Sequence, residues 1–108
     1  MLETAEIVHT IEHLQGAFEE LMVRGLRSSG PQHLTTLAHL REEFERIGAD
    51  HLAGRIAAVI DAIRNDDRGA AAALLRAQTS LRVFERILTL ETAADLLSQL
   101  LPEREGEA

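Results

Sequence analysis

The 108-residue chain has no cysteine, no tryptophan and no tyrosine, and only two prolines. Without cysteine there can be no disulfide, thiolate zinc site, cysteine-held iron–sulfur cluster or cysteine nucleophile. That composition fits a reducing compartment. Phenylalanine is the only aromatic, at Phe18, Phe44 and Phe84, so the core has to be aliphatic. Leu, Ile, Val and Ala cores suit helical bundles better than sandwiches, whose strands favour aromatic and β-branched residues. No apolar run approaches the ~20 residues that span a bilayer. The start, Met1 to Glu6, is acidic and lacks the basic and apolar segments of a secretory signal, so the expected location is cytoplasmic. Positive charge is scarce as well. A net charge of -7 weighs against a nucleic-acid backbone or an anionic membrane as partner.

Turn chemistry is confined to a few places, and between them lie long runs of helix formers. No proline or glycine falls between Ala70 and Leu101. Leu74, Ala77, Leu81, Phe84 and Leu88 recur there at steps of three and four, which marks one buried helical face. Leu75, Val83, Ile87, Leu90, Ala94 and Leu97 make a second apolar row, far around the helix at ~100° per residue. A helix apolar on two sides is either central in a bundle or packed against another chain.

Three further helices precede it. The first is expected from about Glu3 to Arg27, with Ile7, Ile11, Leu14, Phe18, Leu21 and Gly25 forming a heptad-like seam. Gly16 lies on its far side and weakens it slightly. Ser28-Ser29-Gly30 ends it, and Pro31 opens the second helix, with Ser29 or Gly30 as cap. Leu34, Leu37, Leu40, Phe44 and Ile47 form the second helix's apolar face, and Gly48 stops it. Asp50 is expected to cap a third helix over His51 to Arg64, buried through Leu52, Ile56, Val59, Ile60 and Ile63. Connections this short place neighbours antiparallel.

Beyond Leu88 the first row of the long helix would continue at Glu91, Thr92 and Asp95, which are polar. This change of side predicts a break between Leu88 and Leu90, with Thr89 capping a short last helix. Leu90-Glu91-Thr92-Ala93 repeats the Leu2-Glu3-Thr4-Ala5 that opens the first helix, which reads as shared helix-start chemistry. The expected fold is therefore all-α: an antiparallel bundle of four main helices plus a short C-terminal helix. It forms a single domain over residues 1–102, followed by a flexible acidic tail over 103–108.

Three sets of residues carry candidate chemistry. Glu6, His9 and His13 form Glu-x-x-His-x-x-x-His. Four-residue spacing puts both imidazoles on one helical face, where a divalent metal can bridge them. Its first part resembles one half of the ferritin-type Glu-x-x-His motif. That resemblance implies a di-metal site with inward carboxylates from other helices. No second Glu-x-x-His occurs in the chain, and His9 and His13 project away from the Ile7–Phe18 seam. His39 and Glu43 form His-x-x-x-Glu, a spacing similar to that of hemerythrin-type di-iron bundles, but the wider histidine set is missing. Arg46 and His51 form an Arg-x4-His element that resembles the catalytic motif of HEPN ribonucleases. The resemblance covers these two residues and the helical class, and it implies that Arg46 and His51 act on RNA phosphate and hydroxyl at a dimer interface. Ile47 stands where that family usually has a polar residue. The ordinary reading is an Arg and a His suited to helix ends.

The reading preferred from the sequence is a non-enzymatic protein–protein interaction module. It acts as a homodimer or docks a partner protein's helix, in the role of a small adaptor, accessory subunit or antitoxin-like neutraliser. Val83, Ile87, Leu90, Ala94 and Leu97 form its expected interface, with Met22 and Leu26 as candidate additions. No cofactor is expected. The two alternatives are a metal-binding protein using Glu6, His9 and His13, and a HEPN-like ribonuclease using Arg46 and His51.

Overall fold

The computed structural model describes residues 4–26 and 30–100. They form four α-helices: α1 (Thr4–Arg24), α2 (Pro31–Arg46), α3 (Asp50–Arg64) and α4 (Ala70–Leu100). No strand occurs among the described residues, and none of their helices is long and apolar enough to cross a membrane. The expected tail over 103–108 lies outside the described residues.

Each helix buries the row its spacing predicts. Ile11, Leu14, Phe18 and Leu21 come from α1, Leu37, Leu40 and Phe44 from α2, and Leu52, Ile56, Val59 and Ile60 from α3. From α4 come Ala73, Leu74, Ala77 and Leu81, with Phe84 and Leu88 packed partly buried against the same core. The alanines at 70, 73 and 77 leave little between α4 and its neighbours, and α3 is its main contact. Phe44 and Phe84 meet edge to face, with centroids 5.9 Å apart and planes at 89°. That geometry sets the positive ring edge against the negative face.

Helix ends follow local chemistry, with small departures from expectation. The first helix was expected to run on to Arg27 with Gly25 on its seam. Instead it ends at Arg24, because Gly25 turns into the left-handed region at φ +86° and its N–H closes onto Leu21 O at 2.8 Å. Arg27 lies outside the described residues. Gly30 does precede Pro31 as the cap of α2. It has no side chain to offer, and His33 instead accepts the Gly30 N–H on Nδ1 at 3.2 Å.

At the end of α2, Gly48 adopts φ +85°, the Ala49 N–H reaches Phe44 O at 2.8 Å and the Gly48 N–H reaches Glu45 O at 3.1 Å. This is a Schellman closure. Ala49, not Asp50, caps α3, and Asp50 sits in its first turn, where its charge still suits the helix dipole. The end of α3 repeats the closure with Asp66 at φ +47° in the glycine position.

The largest departure concerns α4. The expected break near Thr89 and the separate short helix after it do not occur: α4 runs unbroken through Leu100. The hydroxyls of Thr89 and Thr92 donate back to the carbonyls of Glu85 and Leu88, each at 2.9 Å. Thr89 is thereby satisfied inside a helix and does not cap a new one. The expectation of a break assumed that one side of the last segment must be buried. Every residue from Thr89 to Leu100 is exposed, so no change of buried side is forced. With no Gly or Pro in the way, propagating the helix costs little.

Candidate interaction face

The second apolar row of α4 is the surface feature that the core does not absorb. Val83 is 54% exposed, Ile87 49%, Leu90 63% and Leu97 57%. Ala94 is exposed among them, and Leu75, Leu96 and Leu100 add to the same helix's open apolar surface. Scattered apolar residues on a surface are ordinary. A row held on one side over 15 residues, about 21 Å of helix, is not scattered. Beyond Leu88 the bundle-facing row has become Glu91, Thr92 and Asp95 while the outward row stays apolar. In this last third of α4 the usual polarity of a surface helix is therefore reversed relative to its own body.

The first turns of the row form one wall of a groove. Val83, Phe84 and Ile87 of α4 face His51 and Arg55 of α3 across a cleft of about 560 Å³ that opens to solvent. Thr79 and Ser80 also line it, and its lining is mostly apolar. The two side additions named from the sequence do not extend this face. Met22 takes the Gln78 side-chain N–H on its sulfur at 3.1 Å, on the flank of α4 that meets α1. Leu26 packs partly buried against the core.

Charges flank the row. Arg86 and Glu91 are both exposed. Neither has an ion-pair partner among the described residues. At ~100° per residue they fall on opposite sides of the Val83–Leu97 line.

The residues considered for metal or RNA chemistry are placed differently. Glu6, His9 and His13 are all exposed on α1. Among the described residues no three His, Asp or Glu side chains gather in a way that would hold a metal ion. His39 is exposed, and Glu43, its expected companion, binds Arg46 instead. Arg46 is thus held to its own helix, while His51 lines the groove. The Arg-x4-His spacing does not bring both groups to that cleft wall.

One polar cluster escaped the sequence reading. Glu20 Oε1 lies 3.2 Å from Arg24 Nε and 3.4 Å from His33 Nε2. With Nδ1 already accepting from Gly30, a neutral His33 carries its proton on Nε2, directed at Glu20. The cluster ties the start of α2 to α1. The spacing of a histidine three residues after the cap signals its bond to the Gly30 N–H, since an N3 side chain can reach back to the cap, but not its contact with Glu20. No protein-family model matches the chain, and no curated protein or solved structure matches it either.

Proposed function

We propose that the protein is a non-enzymatic interaction module that forms a homodimer through the outward face of α4, in the role of a small adaptor or accessory subunit. In this reading the four helices form an antiparallel bundle whose task is to present that face. A cytoplasmic setting suits the cysteine-free composition. The acidic chain is matched to a protein partner, with neither nucleic acid nor membrane in that role.

The observation that carries the reading is the exposed row of Val83, Ile87, Leu90, Ala94 and Leu97, which stays apolar where the bundle-facing row turns polar. Covering the open half of each large side chain contributes about 1 kcal/mol. Eight such side chains meet across a two-fold, giving on the order of 8 kcal/mol, comparable to the ~4–15 kcal/mol cost of association. The dimer is accordingly weak and dependent on concentration.

Light scattering after size exclusion, at micromolar to near-millimolar protein, tests this. The expected mass rises from one chain toward two with concentration. Val83→Glu is expected to hold the protein at one chain while leaving its helicity intact, because Val83 is half exposed in the single chain. A single-chain mass throughout removes the homodimer. If a helix of another protein restores the association, the face is retained and its occupant changes.

A further inference from the structure

The outward row has the spacing of a coiled-coil seam. Val83, Ile87, Leu90, Ala94 and Leu97 step by four, three, four and three, so Ile87 and Ala94 take the a positions and Val83, Leu90 and Leu97 the d positions. A β-branched residue at a with leucine at d favours two strands in parallel. Ala94 at the other a position lets the backbones approach closely. In this frame Arg86 is a g position and Glu91 an e position.

Seam coverage and charge then distinguish the two ways of pairing. In a parallel, in-register pair each g position lies beside the partner's following e position, so Arg86 of each protomer meets the partner's Glu91, twice. Antiparallel pairing covers only four of the five seam residues, in either of two registers. With Ile87 against the partner's Leu90 and Val83 against the partner's Ala94, Leu97 is left out and Arg86 is away from Glu91. With Ile87 against the partner's Leu97 and Leu90 against the partner's Ala94, Val83 is left out. In this second register the e positions face one another, and Glu91 meets the partner's Glu91. Like charges there are unfavourable. Both side chains are without ion-pair partners among the described residues of the single chain.

We propose that two copies of the chain pair α4 in parallel and in register as a two-stranded coiled coil, with Arg86 of each protomer against the partner's Glu91. This rests on the reading of the α4 face as a homodimer interface. The two-fold axis then runs along α4, both bundle bodies lie toward the same end, and the row from Leu90 to Leu97 is covered by its own copy.

A chain without cysteine makes the arrangement directly measurable, since any cysteine introduced is the only one. Symmetry places Leu97 beside the partner's Leu97, within the ~4.4–6.8 Å Cα separation a disulfide needs. Leu97→Cys is therefore expected to form a covalent dimer on mild oxidation. A mixture of tagged Ile87→Cys and untagged Leu97→Cys chains is expected to give no mixed product. Arg86→Glu is expected to weaken the dimer by about tenfold, and Arg86→Glu combined with Glu91→Arg is expected to restore it. A dimer that links only the mixed pair, or that the double reversal fails to restore, overturns the parallel arrangement and leaves the homodimer standing. A single-chain mass at every concentration overturns both.

Discussion

Gln15 on α1 donates from Nε2 to Oε1 of Glu85 on α4 at 2.7 Å, joining residues 70 apart in sequence. The bond sits one turn before Leu88, the last residue of α4 that packs against the core. It is partly buried and its acceptor is charged, which places it among the stronger side-chain hydrogen bonds.

Gln15→Ala is expected to lower unfolding stability by about 1 kcal/mol, and Glu85→Ala by a similar amount. The double variant is expected to lose clearly less than the two losses added, because each single change already removes the shared bond. Urea unfolding followed by circular dichroism measures all three. Strict additivity would show that the contact contributes nothing.

A second anchor lies one residue away. Phe84 stands edge-on to Phe44, which is fully buried, whereas Phe84 is only partly so. Phe44→Ala is expected to cost about 3–5 kcal/mol, and Phe84→Ala less, about 2–3 kcal/mol. The aromatic pair accounts for about 1 kcal/mol of each loss. Because Phe84 also borders the groove beside Val83, its replacement is expected to weaken self-association as well, read by light scattering after size exclusion, while urea unfolding reports the stability losses.

The helical fold could be read from the sequence because its information is local. Leu74, Ala77 and Leu81 announce their burial by spacing, and Gly48 and Pro31 announce the ends they form. The break at Thr89 was misplaced because periodicity says which residues share a side, not whether that side is covered. Once neither side of the last third of α4 is buried, the apolar switch demands nothing of the backbone. The outward row itself was legible for the same reason, as a second set of apolar steps. The groove between His51 and Val83, and the contact of His33 with Glu20, were not legible. Both depend on how separate helices pack, which no spacing within one helix encodes.

Two glycines offer a test of the local argument. Gly16 and Gly54 lie inside α1 and α3, are exposed, and have open space where a Cβ would stand. Alanine fills each without a clash and reduces the freedom of the unfolded chain. Each replacement is expected to stabilise the protein by about 1 kcal/mol, and the pair additively, since they sit on different helices. Gly48, at φ +85°, is the contrast: Gly48→Ala is expected to destabilise by about 1 kcal/mol. Thermal melts of the three variants check the signs as well as the sizes.

Removing the last third of α4 separates the core from the outward apolar row. Residues 89–100 are all exposed and add nothing to the buried core. A chain ended after Thr89 is expected to keep the stability of the single chain to within about 1 kcal/mol, the loss coming from fraying at the new helix end. It also loses Leu90, Ala94 and Leu97, three of the five residues of the outward row. The full chain is expected to melt at a temperature that rises with protein concentration, as association with a second copy stabilises the folded form by mass action. The shortened chain is expected to melt at one temperature across the same range. Differential scanning calorimetry over a hundredfold range of concentration compares the two. If the shortened chain loses several kcal/mol even when dilute, the last third of α4 supports the fold itself, and the division between its two halves is wrong.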